Sequence, residues 1–526
     1  MTLSSFELIH LRDSSGFRIR GHVLGIVSSL SLTAITIVLA AMLITTVGCG
    51  GSSQQLTTPG GGGGSGSAGT ATFSPTSGPV GTMVTISGTD FSSTQSVSIG
   101  NVPAVIVSQS TSSLVTLVMP GATPGAVSVT TPNGTFDGTG MFTVTATGIP
   151  TTQQGNKLAG SGNVGQSQQG YSVAVSADGN TALVGAPSDN SSAGAAWIFV
   201  RAGTSWIQQG SKLVGTGTVG TASQGSSVAL SADGNTALIG GPYDNTHIGA
   251  AWVFTRSGSS WTQQGDKLVG NAAAGTAWQG TSVALSADGN TALLGGPEDS
   301  SGIGAVWVFT RSGSAWTQQG NKLAGTGYIF SPAQGATVAL SSDGSTALIG
   351  GFGDNSNVGA VWVFARSGTT WTQQGSKLVG TGSVGMSQQG TSLALSADGK
   401  TALIGGSYDN SGEGAAWVFT RSSTNWAQQG NKLVGTGAIP YAAQGNSAAL
   451  SADGNTAIVG SKSDGAWVFT RSDSAWMQSG SPLVATGAIG TAIRGYSVSI
   501  SADGTTALTG GPGDNSYTGA TWVFTP

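Results

Sequence analysis

SVALSADGNTALIGGPYDNTHIGAAWVFT, residues 227–255, is the stretch that decides the fold. Ser227–Ser231 reads as a strand, and Ala232-Asp-Gly-Asn as a tight turn whose glycine supplies the positive φ a hairpin needs. Thr236-Ala-Leu-Ile-Gly is a second strand. The longer loop Gly241-Pro-Tyr-Asp-Asn-Thr-His-Ile leads to a third, Gly249-Ala-Ala-Trp-Val-Phe-Thr. Downstream, Arg256-Ser-Gly-Ser is another tight turn, and Trp261-Thr-Gln-Gln-Gly-Asp-Lys-Leu-Val reads as a fourth strand. Four antiparallel strands in one unit form the blade of a β-propeller.

The unit recurs. Its turn aspartate returns at Asp178, Asp233, Asp288, Asp343, Asp398, Asp453 and Asp503, stepping by 55 residues five times and then by 50. The tryptophan of the third strand keeps step at Trp197, Trp252, Trp307, Trp362, Trp417, Trp467 and Trp522. A fixed period of this length means one supersecondary unit copied and stacked. The strands are apolar on both faces, as in Ala250-Ala-Trp-Val-Phe, which suits a sheet packed between two others. The last repeat stops after its third strand, at Trp522-Val-Phe-Thr-Pro, and the missing fourth stands at the front as Thr152-Gln-Gln-Gly-Asn-Lys-Leu-Ala. Residues 151–526 are therefore expected to form a seven-bladed ring closed by strand 152–159. A linear solenoid would leave an incomplete terminal unit and exposed sheet edges.

Composition agrees with an all-β body. Only 8% of residues are charged and 88 are glycine, yet Val, Thr and Trp are plentiful, which excludes a disordered chain. The net charge is −4 with no basic stripe, so nucleic acid is not an expected partner. Cys49 is the sole cysteine, which excludes a disulfide framework and any zinc site built on several cysteines.

The N-terminal 48 residues read as a signal peptide or membrane anchor. Arg12, Arg18 and Arg20 precede an apolar run over residues 23–47, and Gly48-Cys49-Gly50 follows. This resembles a bacterial lipoprotein signal, which implies lipidation at Cys49. The alternative is an uncleaved transmembrane helix with the arginines inside. Either way the rest of the chain is expected outside the membrane, at the cell surface. Residues 49–70 form a Gly/Ser-rich tether.

Residues 71–147 alternate short β-rich runs with Gly, Pro and Asn turns, the pattern of a sandwich. Pro75-Thr-Ser-Gly-Pro-Val-Gly-Thr, Val84-Thr-Ile-Ser-Gly-Thr, Phe91, Thr131-Pro-Asn-Gly and Phe142-Thr-Val resemble an IPT/TIG domain. That resemblance implies an immunoglobulin-like β-sandwich serving as a spacer or binding module. The fold class expected overall is all-β, a seven-bladed β-propeller preceded by this sandwich. The repeat itself is similar to the FG-GAP repeat of integrin-α-like propellers, on Gln169-Gly-Tyr-Ser-Val-Ala, Ala177-Asp-Gly and Leu183-Val-Gly-Ala-Pro187. Gln169, Gln224 and Gln279 replace the phenylalanine of that family. Its calcium loop is depleted to Asp178 alone, too few oxygens for the ion. No metal and no cofactor are expected.

Two acids repeat. Asp178 and its counterparts read as turn chemistry. Asp189, Asp244, Asp299, Asp354, Asp409, Asp464 and Asp514, in the loop between second and third strands, read as Asx turns or as a weak cation site. Thirteen of the 14 tryptophans hold periodic positions and read as packing residues; Trp278 is the exception. Variation between repeats gathers in the loops of one face, which carry Tyr243, His247, Trp278, Tyr328, Phe330, Tyr408, Tyr441 and Tyr517. Aromatic residues on a loop-rich face suit recognition, so these are the candidate ligand-binding residues. No catalytic set assembles around His247, and Glu298 and Glu413 are the only non-periodic glutamates on that face. The function expected is binding or adhesion to an extracellular protein or glycan by a monomer. The alternatives are a secreted carbohydrate-active enzyme and a structural surface-layer component.

Overall fold

The computed structural model describes residues 71–526, except 133 and 464. The signal segment, Cys49 and the tether lie outside the described residues. Among those described, no helix is long and apolar enough to cross a membrane.

Each repeat forms one four-stranded antiparallel sheet, and seven such sheets make the propeller. In blade 2 the strands are Ser227–Leu230, Thr236–Gly241, Ala250–Ser257 and Ser260–Gln263, hydrogen-bonded in chain order. Blade 7 takes its outer strand, Thr152–Gln153, from the front of the chain, with Gln153 opposite Phe524 and Thr152 opposite Thr525. The outer strands are shorter than the sequence suggests. Regular pairing expected over Trp261–Val269 ends at Gln263; Gly265 turns at φ +69°, and Leu268 rejoins the sheet by one bridge to Ala251. The closing segment expected over 152–159 breaks the same way, at Gly155, before Leu158 bridges to Thr521. A positive φ interrupts the ladder, and only glycine takes it without steric cost.

Packing between blades explains the two-sided apolar strands. Leu183 and Ile198 of blade 1 share a core with Ile239, Trp252 and Phe254 of blade 2. The third-strand tryptophans are fully buried, and Trp252 donates Nε1–H to the Thr216 carbonyl at 2.8 Å. In the outer strand, Trp261 donates to Oε1 of Gln209, from the preceding blade, at 2.9 Å, with the Arg256 guanidinium 5.4 Å above its ring. Both tryptophan sets are spent on packing and inter-blade bonds.

The turn between first and second strands serves two purposes. Ser231 Oγ–H donates to Asp233 Oδ1 at 2.6 Å and accepts the Thr236 N–H at 2.9 Å, while Asp233 also accepts the Asn235 N–H. The carboxylate is thus consumed by its own turn. The residue before it links blades. Ala177 N–H donates to the Ala232 carbonyl, Ala232 to Ala287, Ala287 to Ser342, Ser342 to Ala397, Ala397 to Ala452, Ala452 to Ala502, and Ala502 back to Ala177, at 2.9–3.1 Å. Seven backbone hydrogen bonds close a circle around the axis.

The sandwich consists of β1 (Thr72–Ser74), β2 (Ser77–Gly78), β3 (Met83–Ser87), β4 (Ser96–Ile99), β5 (Val102–Gln109), β6 (Ser113–Leu117), β7 (Gly125–Thr131) and β8 (Gly134–Val144). They follow the order β1-β3-β6-β5-β4-β7-β8-β2. The first half of β5 pairs with β4 and its second half with β6, across an irregularity between Ile106 and Ser108, so this strand joins the two layers. Phe73, Val84, Ile86, Phe91, Val129 and Phe142 fill the space between them.

A second apolar cluster fastens the sandwich to the ring. Val107, Leu117 and Met119 pack against Ala177, Ala397 and Ala452, which belong to the hydrogen-bonded circle. Leu117 reaches over the end of the central shaft, lined there by Leu230, Leu285, Leu340, Leu395 and Leu450, and the cavity left beneath is about 170 Å³. Gly81 lies so close to the ring that a Cβ would stand 2.2 Å from the Ala502 carbonyl. The connecting residue Ile149 inserts against the core shared by blades 6 and 7. Residues 71–147 are therefore a cap on the turn face of the propeller and not a freely hinged spacer.

Two predictions follow from this packing. Leu117→Asp places a charge in the apolar contact, where burial of one leucine contributes about 1.5–3 kcal/mol. Hydrogen exchange should rise at Ala177, Ala397 and Ala452 and at the 145–151 connection while the blades stay protected; unchanged exchange would show that the cap is not held there. At the ring's seam the rings of Tyr171 and Tyr496 lie 4.9 Å apart, tilted by 47°, and burial, with Tyr171 beside it, pushes the Tyr496 phenol above its ordinary value of 10.0. The unfolded phenol ionises first, so this group's stabilisation is complete below pH 10.0 and is lost as pH rises beyond it. Tyr496→Phe should flatten the alkaline limb of a stability–pH curve, and an unchanged limb would assign it to other groups.

Candidate functional site

The loop face is built on a repeated pin. In blade 2 the loop enters a single turn at Asp244–His247, but Asn245, Thr246 and His247 have φ of +50°, +55° and +70°. This left-handed turn replaces the Asx turn expected here, and it costs about 1–2 kcal/mol per non-glycine residue. Asp244 offsets that strain. Its carboxylate is buried, with Oδ2 2.5 Å from Lys267 Nζ and Oδ1 accepting the Val219 N–H at 2.8 Å. One side chain thereby joins the loop, the end of the outer strand and the incoming connection. Asp189, Asp299, Asp354 and Asp409 repeat the arrangement with Lys212, Lys322, Lys377 and Lys432. Lys157 makes it with Asp514 across the ring closure. The cation these loops hold is the protein's own ammonium. Blade 6 differs: its repeat is five residues shorter, Pro482 stands where the lysine would be, and Asp464 lies outside the described residues.

A buried amide fixes the connection between blades. Gln224 donates Nε2–H to the Gly215 carbonyl at 2.9 Å and accepts the Gly215 N–H through Oε1. Gln169, Gln279, Gln334, Gln389 and Gln444 do the same one blade apart. At the seventh position Arg494 donates instead to the Ala485 carbonyl. This glutamine therefore completes a backbone-like pair, which an apolar side chain could not do.

On this scaffold three of the eight candidate residues meet. Tyr243 opens the loop of blade 2, His247 ends its left-handed turn, and Trp278 lies in the connection to blade 3. The Trp278 N–H donates to the His247 carbonyl at 2.9 Å, which holds the segments together. Ring centroids are 5.0 Å apart for Tyr243–His247, 5.6 Å for Tyr243–Trp278 and 5.9 Å for His247–Trp278. Among the described residues, the polar atoms of these three side chains make no hydrogen bond within the protein. The other five stand apart. Tyr328 and Phe330 lie in the connection from blade 3 to blade 4, Tyr408 in the loop of blade 5, Tyr441 in the connection after it, against Gly412, and Tyr517 in the loop of blade 7. All five are exposed. Glu298 follows the trio in space, its N–H donating to the Ala277 carbonyl. Glu413 lies two blades away and accepts from Asn410 Nδ2 at 2.5 Å, so the two glutamates do not converge.

Sequence reading passed over the aliphatic residues of the same face. Val164, Val219, Ile329, Val384, Ile439 and Ile489 occupy one repeat position and are about half exposed, 44–55%. In five of them, Val164, Val219, Ile329, Val384 and Ile489, the residue's N–H is the one the pinned aspartate holds. Their signal was in the period itself: this position stays β-branched in six repeats, with Ala274 in the other, while its neighbours change. Of the exposed large hydrophobic side chains among the described residues, all but Met141, Ile207 and Met477 lie in these loops and connections or at the strand ends beside them.

Residues 70–147 match the family model of the IPT/TIG domain, so the cap is similar to that family over its whole length. A search of the curated proteins finds no match to the chain.

The pin can be tested as a unit. Asp244→Asn strands the Lys267 ammonium, which keeps partial contact with water, and should cost about 3 kcal/mol in chemical denaturation. Adding Lys267→Met should restore more than half of that loss. Losses that simply add would mean the pair contributes nothing beyond its two members.

Proposed function

We propose that this chain is an exported surface protein that binds an extracellular protein or glycan through the loop face of an FG-GAP-type propeller. The observation that carries this reading is the segregation of exposed apolar side chains. The turn face is capped by the sandwich, while the opposite face gathers nearly all the exposed aliphatic and aromatic groups. Aromatic and aliphatic side chains gathered on one loop-rich face suit recognition of a partner. The N-terminal run, ending at Cys49, supports export and membrane attachment by a lipid or by a helix, with the tether spacing the cap from the bilayer.

A carbohydrate-active enzyme is less well supported, because Glu298 and Glu413 are held on loops two blades apart. A purely structural surface-layer role leaves the aromatic trio without a purpose.

The test is a binding screen of the full chain against glycans and extracellular proteins, with and without calcium. Saturable binding that falls at least about tenfold in the triple variant Tyr243→Ala, Trp278→Ala, Tyr408→Ala is expected, as for truncated hot-spot aromatics. Calcium dependence would show that a metal takes part after all. Absence of binding in every condition would overturn the reading in favour of the structural role.

A further inference from the structure

We infer that the seam between blades 2 and 3 is a binding site for a saccharide without anionic groups, held by Tyr243, His247 and Trp278. The inference rests on the loop-face reading above and names its ligand class and place.

The three-ring cluster is singular. The three positions recur from seam to seam, save that the shortened loop of blade 6 has no counterpart of His247, and only here do all three carry rings. The flanking seams hold Ser188, Ser192 and Ser223 on one side and Glu298, Gly302 and Ala333 on the other. The three-ring cluster is therefore confined to this seam, while the exposed Tyr328 and Phe330 of the next connection make no ring contact with it. Its rings lie 5.0–5.9 Å apart, a span that suits one or two pyranose rings. A globular partner needs a far wider footprint, roughly 800 Å² on each side.

Twelve of the 14 indoles donate Nε1–H to an oxygen inside the protein. Trp426, buried in its outer strand, finds no acceptor. Trp278 is the remaining one, half-buried beside the Tyr243 and His247 rings, whose polar atoms are also unengaged among the described residues. Apolar ring faces with donors and acceptors at their edges match a sugar, whose C–H faces stack while its hydroxyls bond.

Charge narrows the ligand further. In the loops that form this seam, Asp244 and Asp299 are buried and neutralised by Lys267 and Lys322, and the remaining charges, Asp266 and Glu298, are both acidic. No lysine or arginine is free there to meet a sulfate, phosphate or sialic acid carboxylate. A neutral sugar, or one bearing an amine that Glu298 could meet, fits; an anionic one does not.

The experiment uses the full chain in a detergent without sugar headgroups, on an array of neutral, amino, sialylated and sulfated glycans, followed by calorimetric titration of the hits. Binding to neutral or amino sugars is expected, weakened at least about tenfold by Trp278→Ala, retained in part by Trp278→Phe, and unaltered by Met477→Ala, an exposed residue on the outer strand of blade 6 away from the loop face. Circular dichroism and the urea midpoint report whether each variant is folded. Preference for sulfated or sialylated glycans, or neutral-sugar binding indifferent to a folded Trp278→Ala, would overturn the inference. Binding of a protein ligand on the loop face with no glycan bound would overturn it too while leaving the broader reading intact. Binding of neither would end both.

Discussion

Everything in this molecule hangs on a circle of seven backbone hydrogen bonds. Each first strand presents an edge toward the axis, and an unpaired edge is a liability in any sheet protein. Here the turn that ends each such strand hands one N–H to the next blade and receives one from the blade before, until Ala502 returns to Ala177. A circle has no terminal member, so no blade is left with an unmet partner. The residue at the contact is alanine in six repeats and serine in one, small enough for neighbouring turns to approach. The same alanines then form the floor on which Leu117, Met119 and Val107 of the sandwich rest. Inter-blade pairing and capping thus share one set of atoms.

Away from that circle the blades are joined by side chains whose polar atoms are nearly all spent. The Gln224-type amide imitates a peptide group inside the connection, and the Asp244–Lys267 type of pair ties three segments at one point. Burying charge is costly unless the partner is close and the remaining lone pairs are met, and both conditions hold at these pins. Their effect is to free the residues between them. Because the backbone of each connection is held at its glycine and at its Val219-type N–H, the intervening side chains can change without loss of fold. The loop face varies while the scaffold beneath it does not.

That division explains what could be read in advance. Seven blades, their strand order and the exchange of Thr152–Gln153 into the last sheet follow from period and patterning, because burial on both faces forces apolar residues at fixed spacing. The interruption at Gly265 was not legible, since Gln-Gln-Gly-Asp-Lys is compatible with an extended strand until a partner for the lysine is known. The partner of Asp244 was hidden for the same reason: it lies 23 residues away, and only the fold brings Lys267 to it. Tyr243, His247 and Trp278 could each be suspected from their departure from the repeat. That they meet, while Tyr328, Tyr408 and Tyr517 do not, depends on the Trp278 N–H finding the His247 carbonyl. The seat of the sandwich was equally out of reach, because Leu117 alternates in its strand like any edge residue and nothing local marks its far side as covered.

The way the chain enters the ring also decides how the molecule answers to force. Tension applied from the N-terminal side passes through the cap to Ile149 and then to Thr152–Gln153, the strand that closes blade 7. Two paired residues loaded from one end would peel apart one bond at a time, the weakest mode for a sheet. The cap's seat on the circle of alanines diverts that pull, since the sandwich must first be lifted squarely off several turns at once. A tethered molecule gripping something on its loop face would then transmit drag through the whole ring in compression and shear, with its seam spared until the cap lets go.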